Sequence, residues 1–342
     1  MPEAVLEAVH VTKNFPVHGS GRQLQRRFVH AVDDASLALY PGQVTALVGE
    51  SGSGKSTLAR LLAGLHKRTS GEVLLRGQPA GATRGRAFRR HVSDVQLILQ
   101  DPYGSFNPML KIATHLERAV RIHEPGLRGP GQHAALRART AELLQQVHML
   151  PAGQFLEKYP HELSGGQLQR VSIARGLAAR PSVILADEPV SNLDVSIRLG
   201  VLNLLAELTT AQRVALLYVT HDVASARYFA AEAAVMYAGQ LIESGPSERV
   251  ISAPAHPYTR LLISSAPDPA RATGPAEDRG QPPSLITPPA GCRFHPRCPL
   301  AMPRCSQQAP PVSQLGDGHW TRCWLYGSEG TNPPDAPEGT QP

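Results

Sequence analysis

The 342-residue chain has no cysteine among its first 291 residues, and all four of its cysteines (Cys292, Cys298, Cys305 and Cys323) lie in the last fifth. In a cytosolic protein, such clustering favours ligation of a metal or a cluster over disulfide bonds. Aromatic residues are also scarce, at 5% of the chain. This composition fits an α/β core of Val, Leu and Ala better than an all-β core.

Long hydrophobic runs are absent as well. No stretch approaches the roughly 18–20 apolar residues that span a bilayer, and no basic segment followed by an apolar run opens the chain. The longest apolar segments, around Val183–Ala186 and Val214–Val219, have the length of strands. We therefore expect a soluble cytosolic protein, or one that docks onto a membrane partner, and the length allows two or three domains.

The net charge is +6, and arginine greatly outnumbers lysine. This balance indicates either a mixed solvated surface or a face for nucleic acid or anionic lipid. The basic clusters Arg22–Arg27 and Arg84–Arg90 lack the interleaved aromatic residues that stack on bases. We therefore predict that nucleic acid is not a partner.

Strand and helix patterns alternate over residues 1–262, which predicts one α/β domain. Val44–Val48 is a short apolar run that precedes a glycine-rich loop and then Thr57–Leu65, which is apolar on one face. Strands separated by helices imply a mostly parallel sheet with helices on both faces. Further buried strands are predicted at Val92–Leu99, Val183–Ala186, Ala215–Thr220 and Ala233–Tyr237.

A helical pattern interrupts the strands between Asp101 and Arg170, and it predicts a helical subdomain. A Gly/Pro loop at Glu124–Gln132 breaks this pattern, which resumes over Ala134–Leu150 with apolar residues at helical spacing. The interruption lies between two predicted strands. We therefore expect the helical subdomain to be an insertion within the α/β domain.

The C-terminal part of the chain divides by composition. Proline, glycine and charged residues dominate Pro267–Pro289, which predicts a linker at 263–290. The cysteines then define a small module at 291–326. A polar tail at 327–342 is predicted to be disordered.

The sequence GESGSGKST at Gly49–Thr57 fits the pattern G-x-x-x-x-G-K-[ST]. It follows a predicted strand and opens a predicted helix, which is the context that this phosphate-binding loop requires. The glycines let the backbone wrap a phosphate, with successive N–H groups and the helix dipole directed at it. The sequence therefore predicts that Lys55 contacts the β- and γ-phosphates of a nucleotide and that Ser56 ligates Mg²⁺.

Two acids, Asp187 and Glu188, follow the predicted strand Val183–Ala186. Asp187 is placed to hold Mg²⁺, directly or through water. Glu188 is placed to polarise a water molecule for in-line attack on the γ-phosphate. A solvated acidic turn is the other interpretation, and the phosphate-binding loop in the same chain disfavours it.

A second glycine-rich sequence, LSGGQ at Leu163–Gln167, resembles the signature of ATP-binding cassette (ABC) ATPases. Other landmarks resemble that family in the same order. Gln100 matches the Q-loop glutamine, Ser191–Asp194 the D-loop and His221 the switch histidine, while Phe15 occupies the place of the aromatic residue that stacks on adenine. The resemblance implies a P-loop NTPase fold of the ABC type, in which a RecA-like core carries an antiparallel β subdomain and a helical subdomain.

Members of this family pair head to tail, so the resemblance implies that each ATP lies between the phosphate-binding loop of one subunit and the signature of another. His221 then orients the γ-phosphate and the attacking water, Gln100 contacts Mg²⁺, and Asp194 bridges to the opposite site. The helix after the signature directs its positive end at the γ-phosphate. The implied ATP contacts are Phe15, Gly49, Glu50, Ser51, Gly52, Ser53, Gly54, Lys55, Ser56 and Thr57 within the chain, and Ser164, Gly165, Gly166 and Gln167 across the interface.

Four stretches resemble the ATPases of oligopeptide, dipeptide and nickel importers, and the tail GCRFHPRCPLAMPRC resembles their C-terminal extension. This resemblance implies an ATP-hydrolysing subunit that powers peptide import at the cytoplasmic face of the plasma membrane. The implied partners are a second ABC ATPase, two integral membrane permeases and an extracytoplasmic solute-binding protein. The stretches are QDPYGSFNP (Gln100–Pro108), KYPHELSGGQLQR (Lys158–Arg170), ADEPVSNLDVS (Ala186–Ser196) and HPYTRLL (His256–Leu262).

Two alternative functions stay open at this point. One is the same ATPase role in the import of nickel or of another small solute. The other is a soluble ABC ATPase that acts on nucleic acid, although such proteins usually carry two cassettes or a long coiled coil and this chain shows neither pattern.

The cysteines have the spacing C-x₅-C-x₆-C-x₁₇-C. This spacing lacks the C-x₂-C pair of most zinc knuckles and the C-x₂-C-x₂-C run of ferredoxins. Resemblance to the importer tail implies a [4Fe–4S] cluster held by Cys292, Cys298, Cys305 and Cys323. Zn²⁺ and free thiols remain as alternatives.

Overall fold

The computed structural model describes residues 3–17, 27–80, 84–127, 129, 131–265 and 280–326. The predicted disordered tail 327–342, half of the predicted linker 263–290 and all but Arg27 of the first basic cluster lie outside these residues. The described helices are α1 (Lys55–Leu62), α2 (Gly85–Asp94), α3 (Ile112–His123), α4 (His133–Gln146), α5 (Ala152–Leu156), α6 (Gly165–Leu177), α7 (Val195–Gln212), α8 (Val223–Phe229), α9 (Ser247–Ser252) and α10 (Pro257–Ser264).

Twelve described strands form two sheets. One is antiparallel with the order β2-β1-β4-β5, and the other has eight strands in the order β11-β12-β10-β9-β3-β8-β7-β6. The strands are β1 (Leu6–Val17), β2 (Arg27–Leu39), β3 (Val44–Val48), β4 (Ser70–Leu75), β5 (Gln78–Pro79), β6 (Val95–Ile98), β7 (Val183–Asp187), β8 (Ala215–Thr220), β9 (Glu232–Tyr237), β10 (Gln240–Pro246), β11 (Ser313–Gly316) and β12 (His319–Thr321).

The strands β9, β3, β8, β7 and β6 of the larger sheet are parallel, as the continuous apolar runs predict. Every residue of β3 is buried, and its side chains alternate between two cores. Val44, Ala46 and Val48 pack with the helical side of the molecule, whereas Leu47 packs with α1 and the antiparallel sheet. The sheet is therefore covered on both faces, and its carboxyl edge is left to carry polar loops.

The predicted strand Val92–Leu99 is wrong at its start. Helix α2 continues to Asp94, and β6 begins at Val95. The Nε2 atom of buried His91 lies 2.8 Å from the carbonyl oxygen of Leu62, which fixes the last turn of α2 against the end of α1. A short apolar run cannot be assigned to strand or helix by periodicity alone, and here a tertiary contact decides.

In the region of the predicted helical subdomain, α3, α4 and α5 lie between Asp101 and Arg170, and α6 starts there and continues to Leu177. The predicted helix Ala134–Leu150 is shorter in the structure, because α4 ends at Gln146. None of the helices in the described part of the chain combines the length and apolarity that a membrane span requires.

The cysteine module continues the larger sheet. Strand β12 pairs with β10 through Glu243 opposite Thr321 and Ser244 opposite Trp320, and β11 pairs with β12. The module is therefore joined to the nucleotide-binding core by backbone hydrogen bonds as well as by side chains.

Candidate nucleotide site

The loop Gly49–Thr57 joins the end of β3 to the start of α1. Gly49 and Gly54 have φ angles of 154° and 109°. A Cβ atom on either residue would lie 2.2 Å from a backbone oxygen, that of Met236 for Gly49 and that of Ala31 for Gly54. Because Gly54 caps α1 without a side chain, the first amides of the helix face the loop and are free of a side-chain cap. This is the arrangement that binds anions at helix N-termini.

Lys55 turns its amine back into the loop. The Nζ atom donates hydrogen bonds to the carbonyl oxygens of Gly49 at 2.7 Å and Glu50 at 2.8 Å. Burial lowers the pKa of Lys55, and the carboxylates of Glu188 and Asp187 raise it in part. A buried cation within a ring of backbone amides suits the phosphate groups of a nucleotide.

The hydroxyl of Ser56 and the carboxylate of Asp187 meet beside the loop. The Ser56 Oγ atom donates to Asp187 Oδ1 at 2.7 Å, and burial raises the pKa of Asp187. Hydroxyl and carboxylate oxygens are ligands that Mg²⁺ prefers, and the ion usually keeps several waters and the phosphates of its substrate as further ligands. The two residues therefore fit the magnesium role that the sequence predicts for them.

Glu188 lies between two of the predicted landmarks. Its Oε2 atom accepts a hydrogen bond from Gln100 Nε2 at 3.0 Å, and its Oε1 atom lies 3.3 Å from His221 Nδ1. Glu188 has a φ of 48°, in the left-handed region, and its amide donates to Val219 at 3.0 Å. A non-glycine residue is strained there, and such strain clusters at functional sites. The backbone thus fixes the carboxylate at the end of β7.

These residues line a cavity of about 640 Å³ whose lining is partly apolar and partly polar. Phe15, Val29, Ala31 and Leu285 are its apolar residues. The remaining lining is formed by Ser51, Gly52, Gly54, Lys55, Ser56, Thr57, Gln100, Glu188 and His221. Gly49, Glu50 and Ser53 belong to the same loop but do not line the cavity among the described residues. The volume and mixed lining of the cavity fit a nucleotide, whose base would suit Phe15 and whose phosphates would suit Lys55.

The sequence interpretation missed Leu285 and the contact between Phe15 and its neighbours. Leu285 falls in the segment predicted to be a linker, where no apolar period marks it as part of a site. The Phe15 ring packs edge-on against His66 with the ring centroids 5.3 Å apart, and Lys13 Nζ lies 4.6 Å from its centroid. These contacts are set by the pairing of β1 with its neighbours, which the local sequence does not reveal.

The signature does not join this cavity. Ser164 is exposed and caps α6: its Oγ atom accepts from the Gln167 amide at 3.3 Å, and the Gln167 side chain accepts from the Ser164 amide at 3.1 Å. A Cβ atom on Gly166 would lie 2.3 Å from Ile197 Cγ2, so the glycine allows α6 to pack closely on α7. Among the described residues, Leu163–Gln167 and Asp194 are absent from the cavity lining.

The segment after Gln100 contacts the signature helix. The Tyr103 hydroxyl donates to the carbonyl oxygen of Leu163 at 3.1 Å. Arg175 of α6 donates to the carbonyl oxygen of Ser105 at 2.7 Å, and its guanidinium lies 4.3 Å from the centroid of the Phe106 ring. These contacts would therefore transmit a movement of the segment that begins at Gln100 to the signature.

The four cysteines line one mostly apolar cavity of about 10 Å³. Burial, together with the neighbouring cysteines, raises the pKa of Cys292 to about 11 and that of Cys323 to about 12. In residues 3–17, 27–80, 84–127, 129, 131–265 and 280–326, no three His, Cys, Asp or Glu side chains are placed to hold a single metal ion. The thiols converge on one space without forming a mononuclear metal site.

Comparison with known proteins identifies two matching family models. Residues 32–191 match the ABC transporter model, and residues 242–305 match the model described as oligopeptide/dipeptide transporter, C-terminal region. The first match contains the phosphate-binding loop, Gln100, the signature and Glu188. The second contains three of the four cysteines and Leu285.

Two curated relatives are similar over nearly the whole chain. A probable peptide ABC transporter ATP-binding protein of Sinorhizobium fredii is 41% identical over 94% of this chain and 90% of that protein. An oligopeptide transport ATP-binding protein of Bacillus subtilis is 37% identical over 95% of this chain and 98% of that protein.

Solved structures agree on the fold. The ATP-binding cassette MJ0796, solved as a dimer in a post-hydrolysis state with ADP and Pi, is 27% identical with a TM-score of 0.60, and the match covers 71% of this chain and 98% of that one. A cassette of Clostridium perfringens from the transporter complex cbiONQ has a TM-score of 0.61 at 22% identity, over 73% of this chain and 92% of that one. The predicted ABC ATPase fold is confirmed.

Proposed function

The chain belongs to the ABC transporter ATP-binding proteins that carry the oligopeptide/dipeptide C-terminal region, and on that premise we propose that it hydrolyses ATP to power the import of peptides. The observation that carries the ATPase role is the position of Glu188 between Gln100 and His221, in a cavity that Lys55 and Phe15 also line. The similarity over residues 242–305 supports peptide as the solute.

The residues of the cavity divide the work of hydrolysis. Glu188 accepts a proton from the water whose oxygen attacks the γ-phosphorus, while the bond from that phosphorus to the leaving oxygen of ADP breaks. His221 orients the water and the γ-phosphate, and Lys55 neutralises the β- and γ-phosphates. Mg²⁺, held by Ser56, Asp187 and Gln100, supplies neutralising charge at the phosphates when it is bound.

The second part of the proposal is that the signature serves an ATP bound to another subunit. Ser164, Gly165, Gly166 and Gln167 begin a helix whose first turn is exposed at Ser164, and Asp194 is exposed at the start of α7. The dimeric state of the similar cassette MJ0796 supports such a pair. The partner is a second ABC ATPase, either a copy of this chain or a related one.

We further propose that the subunit lies on the cytoplasmic face of the plasma membrane, where it contacts two permeases that receive peptide from an extracytoplasmic solute-binding protein. The segment after Gln100 exposes apolar side chains, with Tyr103 49% and Met109 79% exposed. Because Tyr103 also donates to Leu163, a permease helix seated on this segment would contact a group that touches the signature.

We propose that the chain divides into an ATPase domain (1–262), a linker (263–290) and a cysteine module (291–326). We propose further that the cysteine module holds a structural [4Fe–4S] cluster. A cluster distributes its four cysteines over several irons, so its ligands need not converge on one point as they do around Zn²⁺. The position of all four cysteines around one space is the observation that supports this proposal. Anaerobically purified protein should absorb near 400 nm, and a colourless, iron-free sample would contradict the cluster.

Uptake into cells that lack the native gene tests the transport role. Wild-type protein should restore uptake of labelled di- and oligopeptides, Glu188→Gln should not, and Glu72→Gln, an exposed site on β4, should behave as wild type. Labelled nickel provides the parallel measurement. Restoration of nickel uptake alone would overturn peptide as the solute, and restoration of neither would overturn the transport role.

A further inference from the structure

The segment Gly280–Tyr326, here called the C-terminal strap, contacts the strands β10 and β2 at several points. The Nε2 atom of His319 lies 2.8 Å from Glu243 Oε1, and both side chains are almost completely buried. Arg293 forms an ion pair with Asp33, which lies on β2 two residues after Ala31 of the cavity wall. Together with the pairing of β12 and β10, these contacts fix the strap relative to the phosphate-binding loop.

The strap reaches the loop itself through Arg297. Its Nη1 and Nη2 atoms donate to Glu50 Oε2 and Oε1, both at 3.1 Å, in a bidentate pair. The side chain of Arg297 is 11% exposed and that of Glu50 is 27% exposed, so the pair is shielded from bulk solvent more than a surface pair is. The Glu50 amide donates to the hydroxyl of Tyr258 at 2.8 Å, and its carbonyl oxygen accepts from Lys55. The amide, the carbonyl oxygen and the carboxylate of Glu50 therefore all have hydrogen-bond partners.

The carboxylate of Glu50 places a negative charge in the phosphate-binding loop, and Arg297 pairs with it. A carboxylate in the second position of a phosphate-binding loop repels the phosphates that the loop must bind, and partial burial strengthens this repulsion. The guanidinium of Arg297 neutralises the carboxylate. The charge balance of the loop is thus completed from a position 247 residues further along the chain.

The strap also contributes to the apolar lining of the cavity. Leu285 lines the cavity together with Phe15, Val29 and Ala31. Its carbonyl oxygen accepts a hydrogen bond from the His30 amide at 2.9 Å, so the residue is anchored to β2 by its backbone. This hydrogen bond fixes the position of Leu285 in the cavity wall.

We propose that the C-terminal strap completes the ATP site of its own subunit, with Arg297 as a residue that positions and neutralises the phosphate-binding loop through Glu50 and Leu285 as a residue that selects for the base. This inference rests on the proposed function, since it assumes that the cavity holds ATP. It assigns the strap a role in nucleotide affinity that is separate from metal binding by the cysteines.

Binding of ATP and of inorganic tripolyphosphate to the full-length protein tests the two residues separately. Arg297→Met should raise the Kd of both ligands roughly three- to tenfold, because both carry the phosphates that an unpaired Glu50 repels. Leu285→Ala should raise the Kd of ATP alone, by roughly three- to tenfold, and leave tripolyphosphate unchanged.

Two control variants and one double variant distinguish an effect at the nucleotide site from general disruption of the strap. Arg304→Met and Val312→Ala alter the same strap at residues that contact neither the loop nor the cavity, and they should bind both ligands as wild type does. Arg297→Met combined with Glu50→Gln should recover most of the lost affinity, which simple unfolding of the strap would not allow. Equal effects of Arg297→Met and Arg304→Met, or no recovery in the double variant, would overturn the proposal. Failure of the wild type to bind ATP at all would instead refute the proposed function.

Discussion

Two helices of the molecule begin at glycine-rich sequences, and they differ in what occupies their first turn. At the start of α1, Gly54 leaves the amides without a side-chain cap, and Lys55 and the carboxylates of β7 stand around them. At the start of α6, Ser164 and Gln167 cap each other's amides, and Ser164 is exposed. The first sequence lines a cavity within its own subunit, whereas the second is complete as local structure and presents Ser164 to the outside.

The largest effect should come from the site around α1. Glu188→Gln removes the carboxylate that we propose accepts the proton of the attacking water, and it keeps the size of the side chain. We expect turnover to fall by roughly 10²–10⁴, with ATP binding retained, in a comparison of phosphate release and equilibrium binding. The control Glu72→Gln should match the wild type. Wild-type turnover in Glu188→Gln would show that another group acts as the base.

A smaller effect should come from the turn at α6. Ser164→Ala should lower turnover in the assembled transporter roughly tenfold, since it removes one polar contact to the phosphate of the other subunit. It should leave the Kd of ATP for the isolated subunit unchanged. Ser164→Thr keeps the hydroxyl and the cap, whose loss costs about 1 kcal/mol of stability, and should retain most of the activity. Weaker ATP binding by the isolated Ser164→Ala subunit would place the signature in its own subunit's site.

The start of a third helix, α10, is capped by a histidine side chain, which can be protonated. His256 precedes α10, and its Nδ1 atom accepts from the Tyr258 amide at 3.0 Å. Burial lowers the pKa of His256 to about 4, and an imidazolium could not accept this hydrogen bond. The unfolded chain binds the proton near pH 6.5, so this contribution to stability is complete above pH 6.5 and is lost as the pH falls towards 4.

We therefore expect the melting temperature to fall between pH 6.5 and 4, with a contribution of roughly 2–4 °C per kcal/mol lost. His256→Asn supplies a neutral cap at every pH and should make this part of the pH profile flatter. An unchanged profile in His256→Asn would show that other groups control the acid sensitivity.

The sequence predicts those parts of the site that depend on local backbone chemistry. Gly54 and Lys55 fall into a strand–loop–helix unit whose pattern of glycines has few other uses, and the structure places both as expected. Gln100, Glu188 and His221 are distant in sequence, but each follows a buried parallel strand. Since such strands end at one edge of the sheet, the three side chains meet there.

The contacts of the C-terminal strap could not be predicted in the same way. Leu285 lies among prolines and polar residues, and its place in the cavity depends on a backbone hydrogen bond to His30. The pairing of Arg297 with Glu50 requires the strap to lie along β10, and no periodic pattern encodes that docking. Likewise, the end of α2 is set by the contact of His91 with α1. Local sequence propensity does not predict these contacts, because long-range packing determines them.

The central claim is that each complete ATP site combines the phosphate-binding loop of one subunit with the signature of another. Turnover per subunit should therefore be measured beside ATP binding, in a dilute sample shown by light scattering to be monomeric and in the assembled transporter. We predict that the monomer binds ATP but hydrolyses it far more slowly than the transporter does. A monomer that hydrolyses ATP as fast per subunit as the assembled transporter would contradict the claim.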